Sequence, residues 1–318
     1  MTKLDEAKII KIFQQSFGKK SKFVPEDVEL LRFGKMYFVT KSDMLVESTD
    51  VPPGMKIDEI ARKSMVACIS DFAVKGVKPL YATISLAIPR SFSKSKITKL
   101  ASGFMKTSKE FDVKIIGGDT NEGKEIVIEV SMFGITKKIV NRKGAKIGDI
   151  IVTSGPFGYT ASGLKIILNH YKAEPKFVKK SKKQVFIPSP RLKFGLDIAR
   201  YLSSSMDSSD GLSTTLNEMS KQSSKKFVII NLPSNHDVEK FAKANRIKFM
   251  DLVFNGGEEY EIVATISPKN LSKIRRIARI QKIPFFEIGH VAKGRGVIYQ
   301  QENKITTVED RGWLHFKS

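Results

Sequence analysis

The segment Ile115-Ile116-Gly117-Gly118-Asp119-Thr120 joins an apolar run to two glycines and a carboxylate. We interpret it as a strand that ends at the glycines, with Asp119 presented at the turn that follows. Aspartates stand beside small residues at three more places, Ser42-Asp43, Ser70-Asp71 and Met206-Asp207-Ser208-Ser209-Asp210-Gly211. A single loop aspartate is usually a turn former. Their repetition predicts carboxylates gathered around cations, and carboxylate, water and phosphate oxygens are the ligands that Mg²⁺ prefers.

The composition predicts a two-domain α/β protein. With 318 residues, 41% of them hydrophobic, the chain exceeds the usual size of one domain. No apolar stretch approaches the length of a membrane span, and the first residues lack the apolar segment of a secretory signal. The only cysteine, Cys68, cannot form an internal disulfide, so a cytoplasmic location fits best.

The charge balance leaves three kinds of partner open. The chain has 55 Lys and Arg residues against 33 Asp and Glu residues, a net charge of +22, which fits a nucleic acid, an anionic substrate or a lysine-rich surface. Dense runs occur at Lys19-Lys20-Ser21-Lys22 and Lys179-Lys180-Ser181-Lys182-Lys183, without the aromatics that a stacking platform for single strands uses. We interpret both runs as solvated surface, and the sequence disfavours a nucleic-acid partner.

Strand and helix periodicities alternate along the chain. Strands are expected over residues 35–40, 81–88, 113–116, 125–136, 149–153, 226–231 and 260–266. Helices are expected over residues 55–75, 93–111, 159–169, 191–202, 212–221 and 268–280. A charged connection near residues 137–146 then separates an N-terminal α/β domain, 1–140, from a C-terminal α/β domain, 141–318.

Several catalytic classes lack their residues. The P-loop and protein-kinase signatures are absent from the sequence. None of the four histidines stands beside a motif serine, and one cysteine cannot build a Cys/His zinc site. The aspartates are therefore the remaining candidates for catalytic or metal-binding residues. Asp71 shares a helix face with Ser64 and Cys68, so its carboxylate needs a cation, either Lys75 four residues later or a metal ion.

Eight motifs follow one another in register, and together they carry a resemblance to a family. The motifs are Asp43-Met44-Leu45-Val46-Glu47, Ile69-Ser70-Asp71-Phe72-Ala73, Gly117-Gly118-Asp119-Thr120, Arg142-Lys143-Gly144-Ala145-Lys146, Pro188-Ser189-Pro190-Arg191, Asp207-Ser208-Ser209-Asp210-Gly211-Leu212, Gly256-Gly257-Glu258-Glu259-Tyr260-Glu261 and Gly312-Trp313-Leu314-His315-Phe316. In this order they resemble the thiamine-monophosphate kinases, over nearly the whole chain.

The resemblance implies two α/β domains of the aminoimidazole ribonucleotide synthetase-like type, paired in a homodimer through the N-terminal sheets. It implies Mg²⁺-dependent transfer of the γ-phosphoryl group of ATP to thiamine monophosphate, which gives thiamine diphosphate and ADP. The implied ligands of several Mg²⁺ ions are Asp27, Ser42, Asp43, Asp71, Asp119, Asp207 and Asp210. ATP is implied to contact Gly118, Arg142 and Ser209, and thiamine monophosphate to contact Asp50, Glu258 and Trp313. The alternatives are an ATP-dependent relative with another acceptor, such as one of aminoimidazole ribonucleotide synthesis, and an inactive basic nucleic-acid-binding protein.

Four positions depart from the pattern of the family. Glu26-Asp27 stands where Asp-Asp is usual, and Lys41 replaces a Ser or Thr that would offer a hydroxyl. Asp50 replaces a histidine; an acidic group there repels a phosphate but favours the positive thiazolium. Lys75 replaces a methionine, and we expect it to neutralise part of the charge of Asp71.

Overall fold

The computed structural model describes residues 5–17, 25–302 and 304–313. The run Lys19-Lys20-Ser21-Lys22 and residues 314–316 of the last motif lie outside these ranges. The described chain forms a five-stranded sheet, a seven-stranded sheet and helices packed on them, so the expected mixed α/β class is confirmed. None of the helices in the described part is long and apolar enough to cross a membrane.

The described strands and helices include those that the periodicities predict, together with further elements that they do not predict. The strands are β1 (Glu29–Phe33), β2 (Met36–Val46), β3 (Pro79–Ile88), β4 (Lys114–Glu122), β5 (Val127–Thr136), β6 (Ile150–Thr153), β7 (Leu202–Asp207), β8 (Lys226–Ile229), β9 (Ile262–Ile266), β10 (Phe286–Ala292), β11 (Gly296–Gln301) and β12 (Lys304–Thr307). The helices are α1 (Glu6–Phe17), α2 (Glu47–Asp50), α3 (Ile57–Lys75), α4 (Lys94–Phe111), α5 (Tyr159–Asn169), α6 (Pro175–Phe186), α7 (Leu192–Ile198), α8 (Leu212–Ser223), α9 (His236–Ala244), α10 (Phe249–Phe254) and α11 (Leu271–Ile280).

The five-stranded sheet has the order β1-β2-β5-β3-β4, antiparallel except for the parallel pair β3 and β4. Side chains alternate across its strands. Val39, Val130 and Met132 point to the face that packs against α3 and are fully buried; we call this the inner face. Met44 and Ile135 point to the opposite, outer face and are exposed.

Helix α3 lies between the two sheets. It packs against β2 and β5 on one side and against β7, β9 and α7 on the other. Between Ile60 and Lys75 almost every residue is therefore buried, including three charged ones, Lys63, Asp71 and Lys75. Each of these charges needs a partner, because an unpaired charge in a protein interior costs a great deal of free energy.

The seven-stranded sheet has the order β12-β11-β8-β10-β6-β9-β7, and only its β8–β11 pair is parallel. The central strands β6 and β9 are almost wholly buried, since helices cover both faces. β7 is an edge strand next to α3, so its last residue, Asp207, lies where the two sheets approach each other.

Strand β4 does not end where the sequence predicts. It continues through Gly117 and Gly118 to Glu122, pairing with β3 after a register shift, so the expected turn at the glycines is wrong. The reason is close packing: a Cβ on Gly118 would lie 1.7 Å from the Ile84 carbonyl oxygen. The glycine lets β4 approach β3, and Asp119 follows it within the strand.

Candidate active site

Three buried carboxylates meet between the two sheets. Asp27 precedes β1, Asp71 lies on α3 and Asp207 ends β7, and one oxygen of each lies within 4.8 Å of the others. Each of the three residues is at most 5% exposed. The structure thus brings together three of the predicted metal ligands from distant parts of the chain; we call them the acidic group.

Asp27 is paired with two protein cations. Arg142 donates to its Oδ1 from Nε at 2.9 Å and from Nη2 at 2.5 Å, and Lys75 Nζ lies 2.5 Å from its Oδ2. Burial alone would raise the pKa of Asp27, but the two charges outweigh it and lower the pKa below its ordinary value. Asp27 is therefore ionised.

Asp71 and Asp207 are in the opposite electrostatic state. Burial raises the pKa of Asp207 to about 7, and the charge of Asp27 adds to the shift. Burial also raises the pKa of Asp71 well above its ordinary value, against the opposing charge of Lys41. Ser70 Oγ donates to Asp207 Oδ2 at 3.0 Å. These two carboxylates have less positive charge around them than their ionised forms need.

Lys75 does not pair with Asp71, so that expectation is wrong. Its Nζ contacts Glu26 at 2.6 Å as well as Asp27, because the loop before β1 brings two buried carboxylates to the end of α3. Lys41 takes the expected role instead: its Nζ lies 3.1 Å from Asp71 and 3.6 Å from Asp43. Lys41, which stands where a Ser or Thr is usual in the family, thus places a cation between two predicted metal ligands.

Two further predicted ligands lie on the outer face of the five-stranded sheet. Ser42 pairs with Ser131 in the sheet, and both hydroxyls donate to Glu129. Asp119 pairs with Ser85, is exposed, and accepts the Thr120 N–H at 2.8 Å. Their side chains point away from α3, whereas Asp43 points towards it. The structure does not bring Ser42 Oγ or Asp119 into the acidic group.

Lys63 links two positions predicted to contact substrate. Its Nζ donates to the Asp50 carbonyl oxygen at 2.6 Å and lies 2.6 Å from Glu258 Oε1. The Asp50 carboxylate accepts the Val46 N–H at 2.7 Å. Sequence reasoning missed Lys63, although it stands eight residues before Asp71 on the same side of α3, which was the available signal.

Three residues predicted to contact ATP or thiamine monophosphate, Ser209, Glu258 and Trp313, come together around the loop after β7. The Glu258 N–H donates to the Ser209 carbonyl oxygen at 2.6 Å, and the Trp313 N–H donates to the Asp210 carbonyl oxygen at 2.9 Å. The Trp313 side chain is 58% exposed. The loop after β7 therefore lies against both the Gly256–Gly257–Glu258 turn and the C-terminal segment.

A buried ion pair supports this loop. Glu261 accepts hydrogen bonds from Arg191 Nε at 2.8 Å and Nη2 at 2.5 Å, and from Ser154 Oγ at 2.6 Å. Arg191 and Glu261 lie within two of the sequence motifs, but the sequence alone predicts no role for them. The pair fixes the segment that carries Glu258, three residues earlier.

Known proteins resemble the chain over its full length. Residues 25–136 match the family model described as AIR synthase related protein, N-terminal domain. The chain is 53% identical over 317 residues to the thiamine-monophosphate kinase of Nitrosopumilus maritimus (strain SCM1), with 100% of both chains covered. It is 34% identical to the thiamine-monophosphate kinase of Pyrococcus horikoshii, with 100% of this chain and 98% of the relative covered.

A solved structure has the same fold. The structure of AaThiL complexed with AMPPCP and TMP superposes with a TM-score of 0.86, at 24% sequence identity, and covers 99% of this chain and 98% of that one. The shared architecture therefore extends over both sheets.

Proposed function

The chain belongs to the thiamine-monophosphate kinase family, and we infer that it transfers the γ-phosphoryl group of ATP to thiamine monophosphate, giving thiamine diphosphate and ADP. The observation that carries this conclusion is the 53% identity to a thiamine-monophosphate kinase over the full length of both chains. The complex of AaThiL with AMPPCP and TMP supports the same pair of substrates, ATP and thiamine monophosphate.

The chemistry requires alignment and charge neutralisation. The acceptor is a phosphate oxygen that is already anionic at neutral pH, so no strong general base is needed. The residues present fit Mg²⁺: the acidic group offers hard oxygen donors, and the raised pKa of Asp207 marks a carboxylate that lacks a cation. Bound Mg²⁺ would bring two polyanions together and absorb charge during in-line transfer.

We propose that the chain holds these ions with ligands drawn from the set that the resemblance predicts. Asp71 and Asp207 are the centre of the set, and the ammonium of Lys41 links Asp43 to Asp71. The resemblance also implies Asp27, Ser42, Asp119 and Asp210. Of these we propose Asp119 and Asp210 as further ligands, whereas both oxygens of Asp27 face protein cations and the Ser42 hydroxyl is bonded to Glu129. For Ser42 and Asp119, whose side chains point to the outer face, the assignment stays a prediction.

We propose that Arg142, Gly118 and Ser209 contact ATP. Asp27 takes two of the five N–H donors of the Arg142 guanidinium, so three donors remain that could bind phosphate. The pair also fixes the plane of the guanidinium, which favours bidentate recognition of phosphate.

We propose that Asp50, Glu258 and Trp313 contact thiamine monophosphate. Glu258 and the Asp50 carbonyl share the Lys63 ammonium, so both lie at one end of the site. Carboxylates and a flat aromatic ring suit the positive thiazolium, and stacking of Trp313 on that ring is the role we assign to it.

The quaternary and cellular context are also proposals. The outer face of the five-stranded sheet exposes Leu31, Phe33, Met44, Tyr81 and Ile135. An apolar surface of this kind is typical of a protein interface, which supports a homodimer through the N-terminal sheets. The single, buried Cys68 supports a cytoplasmic location.

We further propose a domain division at residues 1–140 and 141–318. The five-stranded sheet uses residues 29–136 and the seven-stranded sheet uses residues 150–307, so the proposed boundary falls in the connection between them.

A product assay tests the function. The chain is supplied with ATP, Mg²⁺ and thiamine monophosphate, and ADP and thiamine diphosphate are measured, with free thiamine and an aminoimidazole precursor run in parallel. We expect equal amounts of ADP and thiamine diphosphate with thiamine monophosphate alone. Formation of ADP only with another acceptor would contradict the assignment.

A further inference from the structure

Lys75 lies in a cage made of oxygen atoms. Its Nζ is 2.5 Å from Asp27 Oδ2, 2.6 Å from Glu26 Oε2 and 3.1 Å from the Ser205 carbonyl oxygen. The side chain is completely buried. Two carboxylates and a carbonyl are also the kinds of ligand that proteins offer to a bound metal cation.

Arg142 completes the pairing of the two carboxylates. Its backbone N–H donates to Glu26 Oε1 at 3.1 Å and Oε2 at 3.0 Å, and its guanidinium binds Asp27 Oδ1. Both oxygens of Asp27 therefore face a protein cation. Asp207 has a hydroxyl as its partner, and Asp71 faces Lys41, whose side chain is 23% exposed.

A divalent ion on Asp27 Oδ2 would stand beside this ammonium. The oxygen lies 2.5 Å from Nζ, and a Mg²⁺–oxygen bond is about 2.1 Å, so the ion and Nζ would be at most about 4.6 Å apart. Two positive charges at this separation repel strongly in a buried site. Lys75 and a divalent ion therefore compete for the same carboxylate.

Basic side chains compensate the carboxylates at only one end of the site, the end that contains Asp27. Among the residues that the structure describes, five carboxylates, Glu26, Asp27, Asp43, Asp71 and Asp207, face three basic side chains, Lys41, Lys75 and Arg142. Lys75 and Arg142 both contact the Asp27 end. The uncompensated negative charge therefore lies at the Asp71 and Asp207 end.

We propose that Lys75 is a resident cation of the phosphoryl-transfer centre, which takes the place of a divalent ion at Asp27 and confines divalent ions to the Asp71 and Asp207 side. The inference rests on the proposed function, because it assumes a magnesium site there. Lys75 is a positioning residue: it holds Glu26 and Asp27 in place and touches no reacting atom. The site holds fewer divalent ions than it would with an uncharged side chain at position 75.

Counting bound Mn²⁺ tests this inference without turnover. Mn²⁺ alone is titrated into the full chain in the absence of nucleotide, and free Mn²⁺ is measured by electron paramagnetic resonance. We expect Lys75→Met to bind one more Mn²⁺ per chain than the wild type. The matched control is Lys78→Met, whose partner Asp112 is on the surface, and it keeps the wild-type number. A folded Lys75→Met variant with the wild-type number and affinity overturns the inference.

A second variant covers the case in which Lys75→Met does not fold. Glu26→Gln combined with Lys75→Met removes one charge of each sign and still frees Asp27 Oδ2. We expect it to bind the additional Mn²⁺ more weakly than the single variant does, and the absence of that ion in the folded double variant overturns the inference.

The wild type separates this inference from the proposed function. If the wild type binds Mn²⁺ and forms thiamine diphosphate while neither variant gains an ion, only the role of Lys75 is wrong. If the wild type binds no Mn²⁺, both the magnesium site and the role of Lys75 are wrong.

Discussion

Residues that are neighbours in sequence point to opposite faces of the five-stranded sheet. On the inner face Asp43 pairs with Val130 and lies near Asp71 through Lys41. On the outer face Ser42 is bonded to Glu129, and Asp119 is exposed in an edge strand. Because side chains alternate along a strand, adjacent residues of one motif serve different surfaces.

The faces also differ in their electrostatics. The carboxylates of Asp27, Asp71 and Asp207 are buried, and their charge depends on the neighbouring lysines, arginine and serine hydroxyl. The outer-face carboxylates accept hydrogen bonds from hydroxyls and backbone instead: Glu129 from Ser42 and Ser131, and Asp119 from the Thr120 N–H. An outer-face carboxylate can join a closed site only when another molecule covers that face, which makes the comparison testable by substitution on each side.

The largest effect is expected on the inner side, from Asp71→Asn. Loss of this charge removes a central proposed metal ligand, and we expect turnover of thiamine monophosphate to fall by about 10²–10³-fold, the scale of losing one electrostatic stabiliser in an active site. Steady-state assays measure the change, with circular dichroism as the control for folding. Turnover within a few-fold of the wild type would rule out this role for Asp71.

The same variant reports on the raised pKa of Asp71. Because the folded-state pKa lies above the ordinary 3.8, the ionised carboxylate destabilises the fold, and stability is lost as pH rises from about 4 through the folded pKa. Without divalent ions, the free energy of unfolding should therefore fall with pH more steeply in the wild type than in Asp71→Asn. Equal slopes in denaturant titrations would contradict this.

An intermediate effect is expected on the outer side, from Asp119→Asn. We expect turnover to fall by about 10- to 100-fold, the usual range for a residue that supports a metal site. Binding of Mn²⁺ to the free protein should not change, because Asp119 lies outside the acidic group. If the variant instead loses Mn²⁺ without nucleotide, as we expect of Asp71→Asn, the division between faces is wrong.

The apolar part of the outer face has its own test, Met44→Glu. A charge in the proposed dimer interface should shift the protein towards monomers in sedimentation or light-scattering measurements. Ile280→Glu is the matched control, because Ile280 is 68% exposed on α11 in the other half of the chain. A dimer of unchanged strength in Met44→Glu would exclude this face as the interface.

The smallest effect is expected from Ser42→Ala. Its hydroxyl is bonded to Glu129 on the outer face, so its removal leaves the acidic group intact. We expect turnover to change by no more than about two-fold, equivalent to roughly 0.5 kcal/mol. A loss as large as that of Asp71→Asn would show that this hydroxyl is a metal ligand after all.

Local periodicity predicted much of the fold. The helix expected over residues 55–75 is α3, Ile57–Lys75, and the strand expected over 81–88 is β3, Pro79–Ile88. Helix α6 was missed because its lysines were interpreted as solvated surface. Its buried residues Phe177, Ser181 and Val185 recur every four positions, which was the helical signal.

Features that depend on distant partners were not predictable in this way. The continuation of β4 through Gly118 depends on its approach to Ile84 in another strand. The partners of Lys75 lie 49 and 48 positions earlier, at Glu26 and Asp27, whereas helical spacing pointed to Asp71. Sequence spacing predicts contacts within one element, and register and packing between elements decide the rest.

The position of the divalent ions can be seen directly in an anomalous difference map from crystals of the chain grown with Mn²⁺ and an ATP analogue. We expect a peak within coordination distance of Asp71 and Asp207 on the inner face, with Asp27 still held by Lys75 and Arg142. A map in which Mn²⁺ lies only on the outer face beside Asp119, with Asp71 and Asp207 unligated, would contradict it.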